Sequence, residues 1–517
     1  MASHGLYGGR DAAGKYLSSL LRLALACVGL AGGVFAQDAT QAQTLAASSG
    51  NSVFNVRLFG ARGDGAALET ASIAKAIAAG HNAGGGTVYF PPGTYVSGTL
   101  ELLSNVTLDL EAGALLQGSP NLADYGSTAQ YGFGRNYGVD SSGEGFHVGL
   151  IVARKAENIG ITGHGRIDGS GDVFFDLKTF HNGVDFDPKY TRQGADFDGP
   201  QYGLEFGPVE MHPTGRPGTL IILSDCRNIA IRGITLSNAP NWTLHLQGSE
   251  QAVITGIHIQ NDVLLPNNDG IDCMRCKHVH ISDSDIRAGD DDFAIVSGED
   301  IQVTNCSLFS YSAAVRLEDT RYSTFNNLSI HANRGLAVFS RGEEHTAHVL
   351  FSNITMETML ITGHWWGKAE PIYIAARTGN GRAEIRDVHF TNITVEAESG
   401  IMIYGAPDSI VRDIYLDQIR MHVRAPQPRI AQSVGGNFDL RWTATSFSEA
   451  LFKHDIPAIY ARYVEGLRIR DFDLTWDPNL PSYFSGALVA EDSKAIDYAD
   501  FKPTSAPGSN VQPISIQ

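Results

Sequence analysis

The chain has 517 residues, including 57 glycines, with a charged fraction of 18% and a formal net charge of -18. This acidic balance excludes nucleic acid and anionic membranes as expected partners, because phosphate binding needs a basic surface. Abundant glycine and low charge are typical of a large globular protein with many tight turns between short strands. The composition therefore favours an all-β protein.

The first fifty residues predict export. Basic residues precede an apolar run from Leu23 to Ala36, which has the form of a secretory signal peptide with a small-residue cleavage site. We expect residues 1–36 to be a signal peptide and 37–50 a linker, so that the mature protein is secreted or periplasmic. Later apolar runs are far shorter than the roughly eighteen residues that a membrane span needs. We therefore expect no membrane association after signal removal.

An internal repeat predicts the fold. An aliphatic-x-aliphatic step, a polar turn and a second such step recur at spacings of 24, 26, 22, 24 and 24 residues. These copies start at Asn228, Ala252, His278, Asp300, Thr324 and His348, and further copies start at Asn105, Asn158, Glu384, Ile410 and Val464. A repeat of this length with period-two strands is typical of a single-stranded, right-handed parallel β-helix.

The repeat is capped and interrupted. Apolar residues at Ile73, Ala76 and Ile77 predict a short amphipathic helix over Thr70–Ala79 that covers the first coil. We expect the β-helix catalytic domain to span residues 51–493, with a flexible tail over 494–517. Four segments lack the repeat and are predicted to be long loop insertions that wall a binding cleft: Asp124–Phe146, Phe174–Pro217, Leu360–Gly381 and Arg424–Asp455.

Four cysteines follow the signal region: Cys226, Cys273, Cys276 and Cys306. Cys273 and Cys276 lie three residues apart in a predicted strand, so that their side chains point to opposite faces. We interpret the four as buried thiols, or as one disulfide bridge between adjacent coils, and not as a metal or redox site. No metal or cofactor is expected.

Aspartates recur one coil apart. Asp269 belongs to the run Asn-Asn-Asp-Gly, and Asp290 and Asp291 follow it by 21 and 22 residues. Adjacent coils are about 4.8 Å apart, so the three carboxylates should meet, and their repulsion can keep one protonated while another stays charged. Hydrolysis of a glycosidic bond with inversion uses such an acid and base. Capping of turn amides is the alternative, and we prefer it for Asp272 and for 283–285.

Six motifs stand out along the chain: NVRLFGARGDG, GGGTVYFPPGTYVSGTL, ITGHGRIDGSG, PNWTLH, NNDGID and GDDDFAIVSG. In these motifs the sequence resembles the polygalacturonase family of glycoside hydrolases, family 28, which has the pectin-lyase-like β-helix. The resemblance implies an inverting hydrolase that acts on galacturonan or related pectic chains without metal. It also implies that Asp290 is the general acid, that Asp269 and Asp291 activate the water, and that Asn267 orients the site.

Two signatures of that family are missing. Ser312-Ala313-Ala314 stand where the family has a Gly-His-Gly turn. Ala337-Val338-Phe339 stand where it has the Arg-Ile-Lys that binds a uronate. A sugar carboxylate needs a charge-assisted partner. Either a neighbouring cation supplies it, or the sugar in the cleaved subsite is neutral, and we favour the neutral sugar. The candidate cations are Arg316, Arg334, Arg341 and Lys368.

Aromatic residues and one histidine complete the predicted substrate-binding set. The insertion HWWGKAEP contains Trp365 and Trp366, whose flat faces suit sugar rings. Packing into a core is the alternative, but adjacent strand residues cannot both face inward, so we expect at least one in the cleft. His245 is a candidate replacement for the missing histidine, whereas His164 precedes the acids by several coils and is interpreted as a turn residue.

Three functions remain open from the sequence. The first is an exported, polygalacturonase-like inverting hydrolase of a pectic or related polysaccharide, with exo action preferred. The second is a polysaccharide lyase, which needs a Ca²⁺ cluster and a Lys or Arg base near the carboxylates. The third is a non-catalytic carbohydrate-binding β-helix. In each case the expected partner is a polysaccharide or oligosaccharide, and the chain is expected to act as a monomer.

Overall fold

The structure is a computed structural model that describes residues 52–125, 149–180, 185–202, 208–212, 214–340, 345–376, 383–441, 443–444 and 446–517. The predicted signal peptide and linker, most of the first insertion and Arg341 lie outside these residues. No helix within the described ranges is long and apolar enough to cross a membrane.

Short strands make up most of the described chain. The first twelve are Val53–Asn55 (β1), Asp64–Leu68 (β2), Gly86–Phe90 (β3), Gly93–Ser97 (β4), Leu100–Glu101 (β5), Val106–Leu110 (β6), Ala114–Gly118 (β7), Gly149–Arg154 (β8), Glu157–Gly163 (β9), Arg166–Asp168 (β10), Phe175–Phe180 (β11) and Val209–Met211 (β12). The next thirteen are Thr219–Ser224 (β13), Arg227–Arg232 (β14), Thr235–Ser237 (β15), Leu244–Gln247 (β16), Glu250–Thr255 (β17), His258–Gln260 (β18), Ile271–Met274 (β19), Lys277–Ser282 (β20), Asp285–Ala288 (β21), Phe293–Val296 (β22), Glu299–Glu318 (β23), Arg321–Ser340 (β24) and His345–Thr358 (β25). The last eleven are Ile372–Ala376 (β26), Glu384–Ala397 (β27), Ile401–Tyr404 (β28), Val411–Val423 (β29), Asn437–Asp439 (β30), Leu451–Lys453 (β31), Ile459–Arg462 (β32), Val464–Trp476 (β33), Leu488–Glu491 (β34), Asp497–Phe501 (β35) and Ile514–Ile516 (β36).

Helices are few in the described residues. The α-helices are Thr70–Asn82 (α1), Pro428–Val434 (α2) and Phe447–Ala450 (α3), and the short 3-10 helices are Val56–Phe59, Leu122–Tyr125, Gly171–Phe174, Pro188–Tyr190, Gly194–Asp196 and Pro200–Tyr202.

The strands stack coil upon coil as a right-handed parallel β-helix, as the repeat predicted. One inward column pairs Leu244 with Ile271, Ile271 with Phe293, and Phe293 with Val315, always in parallel register. The strand-to-strand crossovers of parallel sheets are right-handed. Because side chains alternate across each strand, the aliphatic members of the repeat fill one continuous core, and the intervening residues face out.

Asparagine ladders hold the turns in line. Asn228 donates to Asn158 over 2.7 Å, and Asn158 donates to Asn105 over 2.8 Å. All three have positive φ, between 55° and 65°, a conformation that Asn tolerates better than most residues. The frequent Asn of the repeat is therefore a structural feature of the turns.

The helix α1 caps the first coil, as predicted, and extends to Asn82. Its residues Ile73, Ala76 and Ile77 are fully buried in the core. The hydroxyl of Thr70 accepts the Gly98 N–H over 2.8 Å, which fixes the helix to the coil beneath it.

The insertions pack on one another at the side of the coils. Asp198 accepts hydrogen bonds from the Gly363 N–H at 2.8 Å and from the Ser433 hydroxyl at 3.3 Å, so it joins three separate insertions. Within them β11 pairs with β12 and β30 with β31, both antiparallel. The insertions therefore carry their own secondary structure and a small apolar core, which includes Phe186, Leu360 and Leu451.

One predicted boundary and one predicted disulfide need correction. The predicted tail contains β35, which pairs with β33, and β36, which pairs with β34. The β-helix thus continues past residue 493, since these short strands bury Phe501 against Phe472 at 5.3 Å between ring centres. The four cysteines are buried free thiols, so the alternative of a disulfide bridge is wrong.

Candidate active site

The structure brings the three predicted acids together. Asp269, Asp290 and Asp291 each contribute an oxygen within 4.8 Å of the others. Asp291 accepts the Gly270 N–H at its carbonyl over 2.8 Å, which places the two acidic turns on adjacent coils. The strands that follow pair Ile271 with Phe293, so one coil is 22 residues long at this point, which is the offset of Asp291 from Asp269.

The Asn-Asn-Asp-Gly run shapes its own turn. Asn267 has a φ of 56°, and the side-chain oxygen of Asn268 accepts the Gly289 N–H of the next coil over 2.7 Å. A Cβ at Gly289 would lie 2.7 Å from the carbonyl oxygens of Leu265 and Val263, so only glycine fits. These contacts lock the two acidic turns in register.

The acids lie in a nearly closed site. The exposed fraction is 4% for Asp269, 8% for Asp290 and 5% for Asp291. The apolar cluster of Phe174, Phe175, Val209 and Leu265 packs beside this edge of the β-helix. Access to the carboxylates is therefore narrow, and Asp290 is the most exposed of the three.

Asp291 is held by three donors from the following coil. Its Oδ1 accepts the Ser312 hydroxyl at 2.9 Å and the Ala313 N–H at 3.1 Å, and its Oδ2 accepts Arg316 Nε at 2.5 Å. Ser312 and Ala313 stand where the family's Gly-His-Gly turn was expected. Serine, backbone and arginine thus provide the contacts at this carboxylate.

Asp290 has a weaker set of partners. Its Oδ2 accepts Asn267 Nδ2 at 3.3 Å, and its Oδ1 accepts the Asp291 N–H at 3.1 Å. Burial, with the neighbouring charge of Asp291, raises the pKa of Asp290 to about 7. Burial and the charge of Asp290 also raise the pKa of Asp269. The cluster therefore holds protons near neutral pH, while Asp291 has a guanidinium partner.

Arg216 is a residue that the sequence reasoning missed. Its Nη2 donates to Asn267 Oδ1 over 3.0 Å, and its Nη1 donates to the Pro240 and Pro266 carbonyls over 2.8 Å. It therefore orients the amide that contacts Asp290. Arg216 lies in a non-repeating insertion, where no periodic signal pointed to it.

Asp272 and His245 lie under the site. The two residues pair in register on the outward face of neighbouring strands, and both are fully buried. Neither carboxylate oxygen of Asp272 has a hydrogen-bond partner among the described residues, and burial raises its pKa. The interpretation of Asp272 as a turn cap is therefore wrong, whereas Asp283 accepts Asn305 Nδ2 at 3.0 Å as a structural residue does.

The prediction that His245 contacts substrate is also wrong. Its side chain has no exposed surface, because it packs edge-on to Trp242 at 5.0 Å between ring centres. Burial lowers its pKa to about 3. His245 is a neutral, buried residue and does not replace the missing histidine.

The predicted cations are largely engaged by carboxylates. Arg316 pairs in register with Ala337, one coil before the family's expected arginine position, but its guanidinium contacts Asp291 and Glu318. Arg334 is bound to Glu370 at 3.2 Å and to Asp439 at 3.3 Å.

Lys368 is buried with its ammonium 5.4 Å from the centre of the Phe197 ring. Burial and the charge of Arg441 lower its pKa to about 8. The acidic groups that act on it are Asp439, Asp198 and Glu370, which belong to the insertions and not to the catalytic cluster.

The two tryptophans differ in exposure. Trp365 is buried and packs edge-on to Tyr311 at 5.8 Å between ring centres, and Tyr311 lies between the serines that bond to Asp290 and Asp291. Trp366 is half-buried beneath the Arg441 guanidinium, 4.6 Å from its ring centre. Their contact with a sugar stays a prediction.

The three acids also have the all-oxygen donor set that a hard cation such as Ca²⁺ prefers. The Arg316 guanidinium beside Asp291 already offsets part of their negative charge. A lone cation bound by these residues would therefore lie next to a fixed positive group, which argues for chemistry that uses the carboxylates alone.

Comparisons with known proteins agree with this geometry. The family described as "Glycosyl hydrolases family 28" matches residues 194–310, which include all three acids. The family described as "Rhamnogalacturonase A/epimerase, pectate lyase-like" matches residues 53–175.

Two relatives are similar to this chain in sequence, and one solved structure is similar to it in fold. The chain is 26% identical to a probable polygalacturonase of Vitis vinifera, over 72% of this chain and 74% of that protein. It is 29% identical to an exo-poly-alpha-D-galacturonosidase of Dickeya chrysanthemi, over 48% of this chain and 43% of that protein. A family 28 exopolygalacturonase of Yersinia enterocolitica has the same fold, with a TM-score of 0.62 and 19% identity over 88% of this chain and 80% of that one.

Proposed function

We propose that the chain is a member of glycoside hydrolase family 28, an exported enzyme that hydrolyses a pectic or related polysaccharide with inversion. The convergence of Asp269, Asp290 and Asp291 within 4.8 Å is the observation that carries this proposal. Three carboxyl groups held on one edge of the coils can supply both the acid and the base that hydrolysis of a glycosidic bond needs.

Asp290 acts as the general acid. Its pKa, raised to about 7, keeps it protonated at mildly acidic pH, and it is the most exposed of the three acids. It would protonate the leaving oxygen. Asp291, whose carboxylate accepts Arg316 and two further donors, acts as the charged base on the attacking water, and Asp269 beside it positions that water.

Inversion rests on family membership. The nearest oxygens of the acids lie within 4.8 Å, less than the roughly 6.5–9.5 Å usual between the carboxyl groups of inverting glycosidases. The anomer released first is therefore an informative readout, since a retaining enzyme would release the opposite one.

The sugar in the cleaved subsite is neutral, or at least not galacturonate. Ala337 and Phe339 stand where a uronate-binding Arg and Lys were expected, and Arg316 and Arg334 are engaged by carboxylates. A sugar carboxylate placed there would have to displace an existing ion pair. A neutral sugar carries no such cost.

Cleavage proceeds from a chain end. The insertions meet at Asp198, and the acids keep only a few per cent of their surface exposed. A narrow site admits one end of a polysaccharide more readily than the middle of a chain. The Dickeya and Yersinia proteins are also named for exo action.

Product analysis tests this function. Purified protein is incubated with galacturonan, rhamnogalacturonan and neutral glycans, with and without EDTA, and released sugars are identified by chromatography and proton NMR. The proposal expects an inverted monosaccharide or short oligosaccharide from one of the non-galacturonan substrates, unaffected by EDTA. Unsaturated products that vanish with EDTA would instead indicate a lyase, and no release from any glycan would indicate a binding protein.

A further inference from the structure

A second cavity, of about 1140 Å³, lies apart from the acids where three loop segments meet. Residues 192–202, 424–432 and 479–483 contribute most of its lining, together with Glu398 from the β-helix itself. None of its lining residues belongs to the catalytic cluster.

The cavity lies on the same edge of the β-helix as the acids. An unbroken parallel register runs along this edge, through Ala288, Ser310, Ala332, Thr358, Ala397 and Val423. Asp290 follows Ala288 by two residues, and Glu398 directly follows Ala397. Four coils at about 4.8 Å each separate them, a distance of roughly 19 Å.

The lining is suited to sugars. The exposed amide side chains of Gln432 and Asn479 provide donors and acceptors for hydroxyl groups. Tyr202 and Tyr483 add aromatic faces, and sugar rings stack on such surfaces. Cavities of this size with a few placed polar groups are the usual form of small-ligand sites.

Both arginines of the cavity are already paired with carboxylates. Arg424 is bound to Glu398 at 3.3 Å and also to Glu357, and Arg192 is bound to Asp455 at 3.1 Å. An acidic ligand would meet carboxylates as well as guanidinium groups. A ligand without charge avoids this conflict.

Hydrogen bonds and packing within the protein hold the cavity wall in place without a ligand. Asn437 accepts the Arg192 N–H at 2.8 Å and donates to Gln193 at 2.9 Å, which ties residues 192–202 to the fourth insertion, Arg424–Asp455. Gly436 has a φ of +70°, and a Cβ there would lie 2.4 Å from Arg192 Nε. The glycine therefore leaves the room that the arginine occupies beside Tyr483.

We propose that this cavity is a second carbohydrate-binding site, which holds a neutral segment of the polysaccharide whose end reaches the acids. The proposal rests on the proposed function. Holding the chain at both places raises the local concentration of its end at the catalytic site.

Calorimetric titration of the full chain tests the site. The probes are neutral oligosaccharides of galactan, arabinan and xylan, with oligogalacturonides as the acidic arm. The double variant Gln432→Ala/Asn479→Ala removes two exposed amides without disturbing the core, and Ala425→Trp fills the cavity instead. Tyr322→Ala, an exposed tyrosine elsewhere on the β-helix, is the matched control.

At least one neutral probe is expected to bind, with affinity about tenfold weaker in the double variant and in Ala425→Trp, because two hydrogen bonds are lost or blocked. Tyr322→Ala and the rate on a short substrate stay unchanged. The proposal is overturned if no neutral probe binds, if only oligogalacturonides bind, or if the cavity variants bind like the control. Failure of the proposed function is distinguishable, since it would remove sugar release and leave cavity binding intact.

Discussion

Arg316 Nε donates to Asp291 Oδ2 across 2.5 Å and so joins one catalytic carboxylate to the strand of the following coil. Both residues of this pair are nearly buried, and the exposed fraction of the side chain alone is 12% for Arg316 and 8% for Asp291. The arginine stands on the coil where the family's histidine turn is missing, so a permanent cation takes its place beside the acids.

Replacement of Arg316 tests that pair. Arg316→Ala leaves a buried carboxylate without its cation, and we expect the free energy of unfolding to fall by roughly 3–5 kcal/mol, with a large loss of kcat. Arg316→Lys keeps the charge and should lose less. Urea unfolding and kcat/KM measure both effects, with Arg227→Ala, an exposed arginine paired to Glu250, as the control. Wild-type stability and activity in Arg316→Ala would contradict the assigned role.

The raised pKa of Asp290 sets the pH dependence of the rate. The acid must be protonated to act, so kcat/KM should fall as pH rises through about 7. The apparent pKa of this fall in kcat/KM belongs to the coupled cluster of acids and not to Asp290 alone. A pH profile on the identified substrate measures it. If kcat/KM instead falls as pH rises through about 4, the ordinary pKa range of a carboxyl group, then the pKa of the acid is not raised in the site.

Buried carboxyl groups also set how stability depends on pH. The pKa values of Asp269, Asp272 and Asp290 are raised in the folded chain, so between about pH 4 and 7 the folded state holds more protons than the unfolded state. Their contribution to stability is therefore present at acidic pH and is lost as pH rises through the folded pKa. Asp272→Asn should flatten this decline in Tm between pH 5 and 8.

Asp283→Asn is the matched control for that experiment. Hydrogen bonds from Ser282 and Asn305 lower the pKa of Asp283, so its contribution is present above the unfolded pKa and is lost only as pH falls. Its replacement should leave the decline between pH 5 and 8 unchanged. A wild-type slope in Asp272→Asn would show that this carboxyl group does not carry a raised pKa.

Arg216 positions Asn267 and, through it, Asp290. Arg216→Ala should lower kcat by roughly ten- to hundredfold through misplacement of the acid, with KM little changed. Arg216→Lys should recover part of the loss. A variant that raised KM and left kcat intact would show that Arg216 acts on the substrate and not on the acid.

The repeat made most of the fold predictable. Aliphatic residues that alternate along each strand, in repeats of near-constant length, predict a parallel β-helix. The same repeat length predicted that Asp269 lies beside Asp290 and Asp291. Contacts made by the insertions recur at no fixed spacing in the sequence, so the sequence did not predict them. Arg334 bonds to the Asp439 carbonyl, 105 residues away, and Arg216 reaches Asn267 from an insertion.

Short or irregular elements were also missed. β35 and β36 follow the last clear repeat. β35 contains two aspartates and β36 has only three residues, so neither shows the full repeat and the sequence did not distinguish them from a tail. The burial of His245 depends on Trp242 and on what covers its strand, which a local pattern does not reveal.

In the proposed mechanism, Asp290 protonates the leaving group while Asp291 activates the attacking water. Kinetics of Asp290→Asn and Asp291→Asn on the natural glycan and on a dinitrophenyl glycoside of the same sugar test it most directly, because a good leaving group needs no acid. We predict that Asp290→Asn loses about 10² to 10⁴-fold on the natural glycan and little on the dinitrophenyl glycoside, whereas Asp291→Asn is impaired on both. Wild-type rates for Asp290→Asn on the natural glycan, or equal losses on the two substrates, would contradict the claim.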